Sequence, residues 1–407
     1  MAEISHHFLS VEGMRLHWAE AGAHGAEARA HGTNAGAHGA EARAHSTNAG
    51  ADADAPPLVL LHGLSNSCRA WSQVGPLLAQ RRRVLMPDLP GHGASDRPDA
   101  DYALHWYART LARWLEALGI AEADVVGHSF GGGVAQMLLL ERSVRIRRLV
   151  LVAPGGLGKG VGWWLRLASL SALVERLGQP FMAAATRLVL RAGRDGVTRE
   201  EILELSRLNA QAGSARAFSR TLRDVIDWRG QRRAFRDRAG ELAALPAILL
   251  VWGTRDRLIP IAQGRQFAGT LEGVRLEVFE GCGHYPHNEC PEAFVRAVQR
   301  FLDDPSVPAA RLEPPRALVA SIERAERRTL GVLARGASAR CDGGFDGTDL
   351  DRGAIDEARV PLRQRQHFLE RIGGDDQDRR GGAADRDGLD APLGDDAAFV
   401  VEGARPP

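Results

Sequence analysis

A serine held between two glycines, Gly127-His128-Ser129-Phe130-Gly131, is the strongest chemical signal in this chain. The pattern G-x-S-x-G suits a sharp strand-to-helix turn, where glycines leave room for a tight approach and the hydroxyl projects above a sheet. The N-terminus of the following helix favours negative charge developing nearby. Serine alone is a weak nucleophile and needs a base, which in turn needs an orienting carboxylate. Asp256, in Trp252-Gly-Thr-Arg-Asp256, and His284, in Gly281-Cys-Gly-His284, follow in the order Ser, Asp, His. Asp88 and Asp96 precede the serine in a rim loop (DLPGHGASD) and are less suited to the acid's part. After Pro57–Leu61, His62-Gly63-Leu64 offers the Leu64 N–H, which can join that of Phe130 around an oxyanion. The rings of His62, His92 and His128 read as structural braces.

These groups must be carried by elements that end at one edge. His7–Val11 and Met14–Glu20 flank Glu12-Gly13 and read as a β-hairpin. Short apolar runs at 57–61, 83–87, 124–127, 147–153, 247–252 and 274–279 have strand length. Helical patterns at 102–118, 132–142, 261–271 and 291–302 separate several of them. Strands alternating with helices predict a parallel sheet with right-handed crossovers, and continuous apolar strands predict cover on both faces. Ser129, Asp256 and His284 each follow a strand, so parallel strands place all three along one edge. Between Gly155 and Ala243 the strand signals stop and the pattern turns helical (WWLRLASLSALVERL, REEILELSRLNAQ). Such an excursion reads as a cap over the edge where open α/β sheets bind ligands.

One constellation competes for the base. Cys282, His284, His287 and Cys290 fall within nine residues and are all plausible zinc ligands. Their spacing does not match the usual paired arrangement, and a zinc site would consume the histidine that Ser129 needs. No metal or cofactor is therefore expected. Fifty-two basic residues against fifty-one acidic give a net charge of +1, with no electrostatic case for nucleic acid. Cys68, Cys282, Cys290 and Cys341 are too few and scattered for a disulfide scaffold. No apolar run reaches the ~20 residues needed to span a bilayer, and no signal peptide is visible, so a cytoplasmic protein without an integral membrane segment is expected. The expected partner is a small-molecule substrate; oligomeric state is not legible.

Two stretches stand apart. AGAHGAEARAHGTN at 21–34 recurs at 35–48 with one substitution, serine for glycine. Its histidines at 24, 31, 38 and 45 repeat every seven residues. Without Leu, Ile, Val or aromatic residues, the segment 21–50 cannot offset its ordering entropy and reads as a solvated insertion. The C-terminal stretch 304–407 has a helical pattern at Leu318, Val319, Ile322, Leu330 and Leu333, then mixed charges and glycine (GGDDQDRRGGAADRDGLD) that predict disorder.

The ordered set His62-Gly63, Asp88-Leu-Pro-Gly-His-Gly-Ala-Ser95, Gly127-His-Ser-Phe-Gly-Gly132, Trp252-Gly-Thr-Arg-Asp256 and Gly283-His284 closely resembles the α/β-hydrolase superfamily over about residues 5–303, the repeat excepted. Leu222–Gln231 (LRDVIDWRGQ) also looks like actinobacterial α/β-hydrolases of undefined substrate. The resemblance implies an α/β fold: a mostly parallel eight-stranded α/β-hydrolase sheet with a helical cap inserted after the sixth strand. The core would span 1–154 and 244–303, and the cap 155–243. It implies Ser129 as nucleophile, Asp256 as acid, His284 as base, and Leu64 with Phe130 as oxyanion hole. Serine at 129 argues against the epoxide hydrolase and haloalkane dehalogenase branches, which place aspartate there. The expected activity is serine hydrolysis of a carboxylic ester of a small apolar molecule, in a pocket lined by some of Trp163, Trp164, Leu167, Leu170, Phe181 and Met182. Ala153-Pro-Gly-Gly-Leu-Gly158 resembles hydrolases of aromatic meta-cleavage products, which break carbon–carbon bonds. Those enzymes commonly carry Asn before the nucleophile and Trp after the base, where this chain has His128 and Tyr285. A non-catalytic ligand-binding role for the fold is the third reading.

Overall fold

The computed structural model describes residues 2–22 and 55–312, apart from 170–171, 194–196, 233–234, 236–237 and 243. Nearly all of the 21–50 repeat, Leu170 and the helical pattern at 318–333 lie outside the described residues.

Eight strands form one sheet: β1 (Ile4–Val11), β2 (Met14–Ala21), β3 (Leu58–Leu61), β4 (Val84–Pro87), β5 (Glu122–His128), β6 (Arg145–Val152), β7 (Ala247–Gly253) and β8 (Arg275–Phe279). Their spatial order is β1-β2-β4-β3-β5-β6-β7-β8. β1 and β2 form an antiparallel hairpin, turned by Glu12-Gly13 with both residues at positive φ, and β2 runs antiparallel to β4. Every other pairing is parallel. The order reverses at β3: its successor β4 lies on one side and β5 on the other. In sheets of this kind the switch point, here beyond the carboxyl ends of β3 and β5, is the usual ligand position.

Both faces are covered, which is why the strands read as continuous apolar runs. Val59, Leu61, Leu149, Leu151, Ile248, Leu250 and Trp252 join one buried cluster. Their alternates Leu58, Leu60, Val150, Val152, Leu249 and Val251 join another on the opposite face. The first face is sealed by α1 (Leu104–Ala117) and α2 (Phe130–Glu141), through residues such as Tyr107, Leu111, Trp114, Val134 and Leu138. Buried positions 104, 107, 108, 111, 112 and 115 of α1 follow helical spacing. The second face receives Phe294, Val298 and Phe301, which lie in a C-terminal helix, Pro291–Asp303. Each such side chain contributes about 1.5–3 kcal/mol on full burial.

Between β6 and β7 the chain leaves the sheet for the cap, whose helices are α3 (Trp163–Ser169), α4 (Ala172–Leu177), α5 (Met182–Gly193), α6 (Arg199–Asn209) and α7 (Ser214–Val225). α6 opens with a capping box between Thr198 and Glu201. The cap is not wholly helical: Ile226–Asp227 and Gly230–Gln231 pair as a two-residue antiparallel ribbon. Val161, Leu165, Leu222 and Ile226 form a small apolar cluster against Leu64 and Leu258. Polar anchors complete the attachment. Asn209 donates to the Ser65 carbonyl (2.9 Å), the Leu104 N–H donates to Asp224 (2.9 Å), and the Tyr107 and Thr221 hydroxyls share a bond (2.8 Å).

After β7 come α8 (Ala262–Ala268) and, following β8, the C-terminal helix, here α9. Residues 304–312, placed in the tail by composition, continue the fold. Val307 and Ala310 are buried, and Arg311–Leu312 pairs antiparallel with Leu271–Glu272. No helix among the described residues is long and apolar enough to cross a membrane.

Candidate active site

Ser129 sits between β5 and α2 with φ 53° and ψ −115°, a conformation that costs a non-glycine residue about 1–3 kcal/mol. Its flanking glycines are obligatory. A Cβ on Gly127 would lie 2.6 Å from the Gly131 carbonyl oxygen, and one on Gly131 would lie 2.4 Å from that of Leu61. The turn is pinned by bonds from the Ser129 N–H to Val152 O (2.9 Å) and from the Gly155 N–H to Ser129 O (2.9 Å). α2 starts at Phe130, two residues earlier than its sequence pattern suggested, so the nucleophile candidate occupies the helix N-cap itself. The His62–Leu64 loop runs alongside. A Cβ on Gly63 would stand 3.5 Å from the Ser129 Cβ and 3.1 Å from His128 Nδ1.

Asp256 and His284 meet across two loops. His284 Nδ1–H donates to Asp256 Oδ2 at 2.8 Å, while Asp256 Oδ1 accepts the N–H groups of Leu258 (2.8 Å) and Ile259 (2.9 Å). Their side chains are 0% and 5% exposed, respectively. That leaves His284 Nε2 buried without a hydrogen-bond partner, the nitrogen that takes a serine proton in a Ser-His-Asp arrangement. The loops are tied by Arg255 N–H to Cys282 O (2.8 Å), and Glu289 gathers the N–H of Gly283 with both carboxylate oxygens. His128 connects the elbow to the His284 loop, donating from Nε2 to the His284 carbonyl (2.9 Å). Ser129 itself is only half-buried.

The other histidines are braces. His62 Nε2 accepts the Leu89 N–H (3.0 Å), and its Nδ1 bonds the Gly63 carbonyl (2.8 Å), fixing the tautomer. Burial holds His62 and His128 below the ordinary imidazole range and pulls His92 down to about 3. His287 is also pulled to about 3, by burial and then by His284. Its packing against Trp71 and His128 was not anticipated, since sequence presented it only as a metal-ligand candidate. Of the four zinc candidates, His284 spends Nδ1 on Asp256, and His287 is enclosed by aromatic rings; no four-ligand set forms. Asp88 and Asp96 serve elsewhere. Asp88 binds His17 Nδ1 (2.7 Å) and the Ala94 N–H (2.8 Å), and Asp96 binds the Arg15 N–H (2.8 Å).

The expected lining residues separate. Met182 is buried, but Trp163 is 72% exposed, Phe181 67% and Trp164 38%. Trp163 and Phe181 therefore do not wall an enclosed pocket. Leu165 is a large apolar residue of α3 that turns inward, and the apolar surface beside Leu64 and Leu258 belongs to its cluster with Val161, Leu222 and Ile226. Trp164 stays near the Asp256 loop: a Cβ on Gly162 would contact both its indole nitrogen (3.1 Å) and Leu258 (3.4 Å).

The α/β-hydrolase fold profile matches residues 56–290, more than half of the chain and the whole span from β3 past His284. The chain belongs to the α/β-hydrolase fold family. Among relatives, an uncharacterized protein of Mycobacterium tuberculosis is 36% identical over 258 residues, covering 61% of this chain and 75% of the relative. A 2-hydroxymuconate semialdehyde hydrolase of Pseudomonas is 32% identical over 254 residues, 60% of this chain and 86% of the relative. The crystal structure of Cfl2 from Burkholderia cenocepacia superposes with a TM-score of 0.58 at 25% identity, over 74% of this chain and 96% of that one. All three matches take in well under the full 407 residues.

Proposed function

We propose that this protein is a serine hydrolase that cleaves a carboxylic ester of a small apolar substrate through an acyl-enzyme. The observation that carries the reading is Ser129 on its strained elbow together with the buried Asp256–His284 pair, whose free Nε2 awaits a proton. His284 takes the Ser129 proton as Oγ attacks the ester carbonyl, and Asp256 stabilises the imidazolium. The N–H groups of Leu64 and Phe130, the latter at the positive end of α2, receive the oxyanion. His284 then protonates the departing alcohol and activates water against the acyl-enzyme. The cluster of Val161, Leu165, Leu222 and Ile226 beside Leu64 supports an apolar substrate. A fluorophosphonate should label the protein, and nitrophenyl butyrate should be turned over. Ser129→Ala should remove labelling and lower turnover by ~10⁴-fold or more. Full activity in that variant overturns the mechanism.

One observation favours a second reading, carbon–carbon bond hydrolysis: the 32% identity to a semialdehyde hydrolase of Pseudomonas. Against it, His128 and Tyr285 stand where that class commonly has Asn and Trp. A single comparison separates the two, nitrophenyl butyrate against 2-hydroxymuconate semialdehyde. Efficient cleavage of the semialdehyde with negligible esterase activity selects the second.

A further inference from the structure

We propose that Cys282 and Cys290 are an oxidisable pair, converted by a hydroperoxide into a disulfide that staples the loop carrying His284. Their sulfurs lie 2.7 Å apart although both are free thiols, one on each side of His284 in the chain. A disulfide bond is about 2.05 Å long, so closing it requires a movement of about 0.7 Å. The loop is already shaped for closure. Gly283 N–H is held by both Glu289 carboxylate oxygens (2.9 and 2.8 Å), and Cys290 N–H bonds the Pro286 carbonyl (3.0 Å). Cys290 directly precedes α9, whose Phe294 and Phe301 are fixed in the core, so neither end of the loop can drift. The separation is shorter than an ordinary contact between two thiol sulfurs and longer than a disulfide bond.

The two sulfurs have different parts. Cys282 is buried, and burial together with the neighbouring Cys290 sulfur pushes its thiol up to about 12. Cys290 is half-exposed and meets the oxidant first. Its thiolate attacks a peroxide oxygen of hydrogen peroxide, giving a sulfenic acid, and the departing hydroxide takes up a proton to leave as water. The Cys282 sulfur then displaces the sulfenic hydroxyl, which leaves as a second water with the Cys282 proton. Two thiols and one peroxide become one disulfide and two waters. The proposal does not rest on the hydrolytic role of His284.

The test uses the full chain. Trypsin releases Leu276–Arg296, one fragment containing both cysteines. After treatment with hydrogen peroxide that fragment should lose the mass of two hydrogens and regain it with dithiothreitol. Closure of a nine-residue loop should raise Tm by about 5 °C, with turnover of nitrophenyl butyrate within about twofold of the reduced protein. Cys290→Ser should show neither the mass change nor the Tm shift; Cys290→Ala and Cys282→Ser replace it where serine impairs folding. Two alkylatable thiols after peroxide, a sulfinate at Cys290 with Cys282 still reduced, or a disulfide without any rise in Tm would each overturn the proposal.

Discussion

Acid should unfold this protein through histidines that the native state keeps neutral, and His287 isolates the effect. Its ring packs 4.5 Å from Trp71 and 5.9 Å from Phe294, centroid to centroid, and neither nitrogen has a hydrogen-bond partner. Burial, reinforced by His284, pulls it down to about 3. In the unfolded chain the same imidazole titrates near 6.5. The folded value lies below the unfolded one, so the unfolded state binds the extra proton. The contribution is complete above about pH 6.5 and is lost as pH falls from there toward 3. Between pH 7 and pH 5 that loss amounts to about 2 kcal/mol for one fully neutral histidine. His92, also near 3, contributes a similar loss in the same window. His287→Phe keeps an aromatic ring in place and removes one of these protons. Urea unfolding followed by tryptophan fluorescence at pH 7 and pH 5 measures it. The wild-type protein should lose about 2 kcal/mol more than the variant, and any packing cost of the larger ring cancels because it is present at both pH values. Equal losses in the two proteins would refute the reasoning.

Asp256→Asn should leave Tm nearly unchanged but lower kcat for a nitrophenyl ester by ~10⁴-fold, because an amide holds His284 in the wrong tautomer. A nearly silent variant would place the acid elsewhere. Gly131→Ala should cost about 3 kcal/mol in urea unfolding, since its Cβ would press on the backbone oxygens of Leu61 and His62 at 2.4 and 2.5 Å. Unchanged stability there would mean that the elbow can open to admit a methyl group. Deleting residues 24–50, or ending the chain after Leu312, should preserve Tm and ester turnover; loss of soluble protein in either case would show that the removed segment packs on the sheet.

Much of this architecture is legible in the residues because it is dictated locally. A strand covered on both faces must be apolar at consecutive positions, so Leu58–Leu61 and Ala247–Gly253 announce themselves. The elbow is legible for a harder reason. At 127 and 131 any side chain would strike backbone, so the glycines are forced and the serine between them is conspicuous. The order Ser129, Asp256, His284 follows once the strands are parallel, since each group then emerges at the same edge.

Facing and meeting were not legible. Helix α3 and the turn leading into α5 carry large apolar side chains, and composition does not say that Leu165 and Met182 are buried while Trp163 and Phe181 are exposed. The sheet reversal at β3, which brings the His62 loop beside Ser129, depends on crossovers between segments far apart in the chain. Cys282 and Cys290 are set aside as zinc ligands on their spacing, but spacing does not say that the two thiols face each other. His128 and His284, 156 residues apart, share a hydrogen bond that no local pattern encodes. Local sterics and burial thus determined the elements and the candidate reactive groups. Long-range packing alone decided which side chains touch, because a contact between distant segments is set by how the whole sheet is covered rather than by either segment's own residues.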